Sequence, residues 1–304
     1  MKKYIAILSI TLLVLSCKNE TKQEGGKLNV VTTTTMITDL VKNIGGDYVE
    51  LKGLMGSGVD PHLYKASEGD VSKLVNADII FYNGLHLEGK LVEVFEKMGN
   101  QNKTQIALAE ALDKKTLIGS EYFASNYDPH VWFDISYFKT FAKEVTKVLS
   151  EKDAKNAENY AKNAQQYIEK LEVLQSKLAS VIETLPKEKR ILVTAHDAFN
   201  YFGKAFQFEV VGLQGLSTAT EAGVQDVQKL ANFIIEKDVK AIFVESSVPK
   251  RTIEALQAAV KSKDHEVSIG GTLYSDALGD AGTIEGTYIG MFEYNVNTIV
   301  GALQ

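Results

Sequence analysis

The stretch from Ser136 to Leu185, SYFKTFAKEVTKVLSEKDAKNAENYAKNAQQYIEKLEVLQSKLASVIETL, decides how the rest of the chain is read. It runs for fifty residues without a glycine or a proline. Phe141, Val145 and Val148 share one side of a first helix. Further on, Tyr160, Ala164, Tyr167, Leu171, Leu174, Leu178 and Val181 recur at alternating steps of three and four, a single apolar stripe. Asp153 is the expected N-cap of this second helix and Pro186 its stop. At 1.5 Å per residue it spans roughly 45–50 Å, enough to run along two domains. A coiled-coil partner surface is the alternative, but domains on both flanks favour a stiff interdomain link.

Upstream, short β-rich runs alternate with helical ones. Leu28 to Thr32, Tyr48 to Leu54 and Asp78 to Tyr82 read as strands. Met36 to Ile44, closed by Gly45-Gly46, and the run around Val71 to Val75 read as helices. The programme restarts downstream: strand Ile191 to Thr194, helix Phe199 to Lys204, strand Glu209 to Leu213, then strands Ala241 to Val244 and Val267 to Ile269, the last followed by a Gly-Gly turn. Ala241-Ile242-Phe243 stands 162 residues after Ile79-Ile80-Phe81, the same offset that separates Val193 from Val31. A chain of 304 residues also exceeds what one core usually organises. The expected fold class is α/β: two similar doubly wound lobes with mainly parallel sheets, joined by a long rigid α-helix. The expected divisions are 28–152 for the first lobe, 153–186 for the linking helix and 187–304 for the second lobe.

The N-terminus is set apart from this fold. Lys2 and Lys3 precede twelve mostly apolar residues, Tyr4 to Leu15, too few for the ~20 that a membrane span needs and of the size of a signal-peptide core. The run ends in Val14-Leu15-Ser16-Cys17, which resembles a bacterial lipobox, and Cys17 is the only cysteine. Residues 1–16 are therefore expected to be a signal peptide and 17–27, with Gly25-Gly26, a flexible tether from a lipidated Cys17. With Cys17 acylated, no thiol remains for disulfides or metal ligation. Without Lys2 and Lys3, 31 basic residues face 39 acidic ones, a net charge of −8 that argues against nucleic acid as a partner and is compatible with a cationic ligand.

Chemistry concentrates in the histidines. Of only five, two sit in the tripeptides Asp60-Pro61-His62 and Asp128-Pro129-His130, each after a β-rich run. Proline fixes its own φ and restricts the preceding residue, so both histidines stand on stiff corners. His196 follows the strand that opens the second lobe. Ligands of open α/β sheets bind beyond strand ends, and three histidines so placed point to a metal. A fourth ligand is expected from the second lobe: Asp276, with Glu245 as competitor or supporting partner. His86 and His265 lie outside this set.

The chain resembles the zinc- and manganese-binding solute-binding lipoproteins of ABC importers, also described as adhesin-like lipoproteins. The resemblance covers essentially the whole mature chain. It rests on Asp60-Pro61-His62-Leu63-Tyr64, Asn83-Gly84-Leu85-His86-Leu87-Glu88, Asp128-Pro129-His130-Val131-Trp132, Thr194-Ala195-His196-Asp197-Ala198-Phe199, Glu245-Ser246-Ser247 and Tyr274-Ser275-Asp276. It implies a metal in the interlobe cleft on His62, His130, His196 and Asp276, with Asp60, Asp128 and Glu245 as supporting partners. It also implies a periplasmic or cell-surface monomer that delivers the ion to an ABC importer permease.

Two features depart from the subgroups of that family. No histidine lies between Ala111 and Asp128, where dedicated zinc importers often carry a His-rich loop. Manganese members frequently have glutamate where His196 stands. Three imidazoles and a carboxylate suit Zn²⁺, which outranks Mn²⁺ in intrinsic affinity, while a carboxylate using both oxygens also serves Mn²⁺. A zinc hydrolase is a weaker reading, because Asp276 would close the open position that catalysis needs. A metal-dependent adhesin is also weaker, because ligands divided between two lobes suit capture and release.

Overall fold

The computed structural model describes residues 26–99 and 103–304; the expected signal segment and Cys17 lie outside the described residues. Strand β1 (Leu28–Thr32) opens the first lobe, and Val30 and Val31 on its opposite faces are both buried. Burial on both faces is what a central parallel strand demands. Helix α1 (Thr35–Gly45) starts where the Thr34 hydroxyl accepts the Ile37 N–H, and it stops at Gly46, whose φ of 50° suits glycine. The lobe continues through β2 (Val49–Gly53), α2 (Glu68–Asn76), β3 (Ile79–Tyr82), α3 (Val92–Gly99) and β4 (Thr104–Ala107). All pairs are parallel and the strand order is β2-β1-β3-β4.

Two helices follow, α4 (Ile135–Lys152) and α5 (Ala157–Glu183), which pack against each other. The expected N-cap role of Asp153 is not observed. Asp153 ends α4 instead, and its carboxylate accepts from Asn156 Nδ2 and the Tyr160 hydroxyl, both at 2.7 Å. A tight 3₁₀ turn over Ala154–Asn156 intervenes, so α5 starts beyond the reach of an Asp153 cap. The apolar stripe is present, with Ile182 rather than Val181 as its last fully buried member. That stripe meets α1 of the first lobe and the C-terminal helix α9 (Tyr288–Leu303) of the second, which places α5 along both.

The second lobe runs β5 (Ile191–His196), α6 (Asn200–Phe206), β6 (Glu209–Gln214), α7 (Val224–Glu236), β7 (Ala241–Glu245), α8 (Arg251–Lys261), β8 (Ser268–Leu273) and α9. Parallel pairs β5-β6 and β7-β8 lie with β5 beside β7, the spatial counterpart of the first sheet. One expectation is overturned here: Gly270-Gly271 is not a turn but the middle of β8. Glycine is needed because α9 crosses closely. A Cβ on Gly270 would stand 2.7 Å from both Ala302 and the Phe243 ring, and Gly271 has a φ of 148° beside a register shift at Ile242/Phe243.

The lobes meet where the carboxyl ends of their strands converge. Trp132 Nε1 donates to Ser275 O at 3.0 Å, the Tyr288 hydroxyl to Trp132 O at 2.6 Å, and the Leu278 N–H to Thr35 Oγ1 at 2.8 Å. Asp39 on α1 receives the first N–H of α9, from Tyr288, at 3.1 Å. Among the described residues, no helix is long and apolar enough to cross a membrane.

Candidate metal centre

Both Asp-Pro-His tripeptides fold in the same way, for a local reason. Asp60 Oδ1 accepts the backbone N–H of His62 at 2.8 Å, and Asp128 Oδ1 accepts that of His130 at 2.9 Å. An aspartate bonding two residues ahead across a proline forms a rigid corner, and the imidazole leaves it in one direction. His196 ends β5, and Asp276 lies a few residues beyond the end of β8.

The tertiary fold brings these four together. His62, His130, His196 and Asp276 each offer one donor atom, and the four atoms lie within 4.8 Å of one another. The Nε2 atoms of His62 and His130 are 3.3 Å apart. Asp276 Oδ2 is 3.2 Å from His196 Nε2 and 3.9 Å from His62 Nε2, and its Oδ1 is 3.6 Å from His130 Nε2. None of the four residues is more than 4% exposed. Both oxygens of Asp276 and Nε2 of His196 are buried without a hydrogen-bond partner. A buried carboxylate whose near partners are three imidazoles at 3.2–3.9 Å calls for a cation among them.

The surrounding acids differ in what they touch. Asp128 Oδ1 is 2.7 Å from Nδ1 of His130 and turns that imidazole's Nε2 toward the cluster; its Oδ2 accepts from Asn200 Nδ2 at 3.1 Å. Glu245 stands behind His196, with Oε1 accepting the His196 backbone N–H at 2.8 Å and Oε2 in ion-pair contact with Nδ1 at 2.6 Å. It therefore backs a histidine and does not take Asp276's place in the cluster. Asp60 reaches only the backbone of His62; its other oxygen accepts from Thr218 Oγ1 at 2.5 Å, across the cleft.

Electrostatics divides the histidines. Burial, together with the neighbouring His130 and His196, pushes His62 down to about 3 against the pull of Asp276. Burial disfavours a charge on His196 too, but Glu245 and Asp276 on its two sides outweigh it and raise its pKa well above the usual value. Asp276, despite its burial, is held below the ordinary carboxylate range by His196 and the other two imidazoles.

His86 and His265 are not among the four clustered donors. His265 lies 3.7 Å from Asp238 at the far side of the second lobe. His86 is exposed on a left-handed turn, with Leu85 at φ 51° and His86 at φ 62°. That turn is held from below by buried Glu88, which accepts from the Thr33 hydroxyl (2.7 Å) and the Asn83 N–H (2.8 Å). Asn83 Nδ2 in turn donates to Pro129 O at 3.0 Å, bracing the His130 corner. Sequence reasoning assigned no part to Glu88, Asn200, Thr218 or Trp132, whose ring lies 5.2 Å from that of His130. Glu88 reaches Thr33 across 55 residues, Asn200 reaches Asp128 across 72, Trp132 reaches Ser275 across 143 and Thr218 reaches Asp60 across 158, and no spacing rule reveals such contacts.

Comparison with known proteins gives a consistent result. A family model described as "Zinc-uptake complex component A periplasmic" (ZnuA) matches residues 30–302. The manganese-binding lipoprotein MntA of Bacillus subtilis is 46% identical over 301 residues, 98% of each chain. The zinc-binding protein TroA of Treponema pallidum is 49% identical over 278 residues, 91% of this chain and 89% of that one. The solved structure of the same TroA superposes with a TM-score of 0.89, covering 91% of this chain and 99% of the other.

Proposed function

This chain belongs to the family of the periplasmic zinc-uptake complex component A, and from that premise we propose that it captures one divalent transition ion, Zn²⁺ or Mn²⁺, outside the cytoplasm and delivers it to the permease of an ABC importer. It is a binding protein and not an enzyme, as its family is. The ion is cargo, held by His62, His130, His196 and Asp276, with Asp128 and Glu245 fixing two of the imidazoles. Two ligands come from each lobe, so a small separation of the lobes breaks the site in half. That arrangement suits release to a partner.

The observation that carries the reading is the convergence of four buried donors, three imidazoles and the Asp276 carboxylate, within 4.8 Å of one another. Relatives named for manganese and for zinc stand at similar identity, in keeping with a donor set that serves both ions. The proposal extends to the N-terminus: residues 1–16 are removed as a signal peptide, Cys17 carries the lipid anchor, and 17–27 tether a monomer whose lobes and linking helix divide at 152/153 and 186/187. Purification from native cells without added metal, followed by elemental analysis, tests the function. One equivalent of zinc or manganese is expected; protein that is metal-free and stays so on adding either ion would sink the reading.

A further inference from the structure

The four donors are almost wholly buried, so an ion has no open path to them and something must move before exchange. A cavity of about 510 Å³ is walled by both lobes. Tyr122 and Phe123 line it from the first lobe, and Asp197, Gln214, Ser217 and Asp226 from the second, with no Lys, Arg or His among its walls. Its walls include neighbours of the donors. Asp197 follows His196 in the chain, and Gln214 sits opposite His196 in the β5-β6 register. Gln214 is only 6% exposed and its side-chain Oε1 has no hydrogen-bond partner. A buried, unsatisfied acceptor among carboxylates, with no cationic side chain, suits a hydrated cation.

Phe123 lines that cavity and also faces a donor of the site. The Phe123 ring, 9% exposed, stands edge-on between two imidazoles, its centroid 6.4 Å from that of His62 and 6.2 Å from that of exposed His86. The loop carrying it is self-contained. It is pinched by the Gly119–Tyr127 bridge and the Ser120 N–H to Asn126 O bond, and the bonds of Phe123 and Ser125 close onto Ser120, Asn126 and Tyr127 within the loop. Tyr122 beside it is 99% exposed. None of those bonds reaches another element, and the Phe123 ring packs edge-on against His62.

We infer that Phe123 is the gate between the interlobe cavity and the four-donor cluster, and that the cavity is the vestibule through which the hydrated divalent ion enters and leaves. The inference rests on the four-donor cluster being the metal site. A gate that touches no metal changes rates in both directions and leaves the equilibrium nearly untouched.

The test is stopped-flow mixing of the whole mature protein with Zn²⁺, and of the Zn²⁺-loaded protein with EDTA. Emission of Trp132, the only tryptophan, is the readout. Phe123→Ala is expected to speed both uptake and release by roughly tenfold, equivalent to ~1.4 kcal/mol of exchange barrier, with Kd within about threefold of the parent. Phe123→Leu should fall between the two. Ser217→Phe, which fills the vestibule without adding a second tryptophan, should slow both directions. Unchanged rates in both Phe123 variants, or faster release matched only by weaker Kd with uptake unchanged, overturn the gate. A parent protein that binds neither Zn²⁺ nor Mn²⁺ refutes the metal site itself, which separates the two failures.

Discussion

Replacing Glu245 by glutamine tests whether the residue behind His196 sets the affinity for the ion. In the parent, one oxygen of Glu245 takes the His196 backbone N–H at 2.8 Å while the other faces Nδ1 at 2.6 Å. A metal on Nε2 requires the remaining proton to sit on Nδ1, pointing at that second oxygen. Glutamine has one oxygen for these two donors, so its NH₂ must face an N–H whichever way the amide turns, and the negative charge is gone. Loss of such a partner typically weakens metal binding by about 10–100-fold. At fixed excess metal this removes about 1.4–2.8 kcal/mol of the stabilisation that the ligand provides. For a protein of this size, with an unfolding entropy of roughly 0.6 kcal/mol/K, that is about 2–5 °C of the metal-induced rise in Tm. Calorimetric titration with Zn²⁺, alongside thermal unfolding with and without metal, measures both quantities. A Glu245→Gln protein with the parent's Kd and the parent's Tm increment would refute the orienting role.

Alanine at His62, His130, His196 or Asp276 should each abolish most of the metal-induced stabilisation, about 4 kcal/mol at a thousandfold excess over Kd, whereas His86→Ala and His265→Ala should keep it; loss through His86 with retention through His196 would reverse the assignment. Three imidazole ligands alone imply that log affinity falls by up to about three units per pH unit in acid, but His62, held near about 3, is already neutral and drops out of that competition. His196, raised above its usual value, carries a proton that the metal must expel, so affinity should rise by about one log unit per pH unit from about pH 6 to 8, and a flat profile there would exclude that proton. Arg190→Met should destabilise the protein by about 2–4 kcal/mol in urea unfolding, because its buried guanidinium serves the carbonyls of Ile182, Leu185 and Phe206 at the ends of α5 and α6; a change below about 0.5 kcal/mol would count against it. Cys17→Ser should move the protein to the soluble extracytoplasmic fraction without altering its Tm, and a variant still membrane-bound after high-salt washing would contradict lipidation there.

Periodicity and local stiffness were legible in the sequence because they are written residue by residue. The α5 stripe, the strand–helix alternation, the restart of the programme in the second lobe and the two Asp-Pro-His corners needed nothing beyond near neighbours. The same holds for a histidine at the end of β5. Short or crowded elements escaped. Strand β4 has only four residues, none fully buried, and therefore no apolar run to announce it. Gly270-Gly271 reads as a turn until α9 is seen lying against it, where the glycines make room for Ala302 and Phe243. Asp153 reads as a cap until the turn after α4 consumes three residues.

At the site the division is sharper. Three histidines behind strands and an acid in the second lobe could be read from spacing and residue type, but whether Asp276 or Glu245 enters the cluster could not. Both acids follow strands of the same lobe. Only the packing of β5 beside β7 turns Glu245 onto the back of His196, and only the path beyond β8 carries Asp276 into the cluster. Protonation was equally hidden. Three histidines of one kind become one held neutral by burial and one charged between two acids, because desolvation and charge–charge energies depend on distances that chain order does not encode.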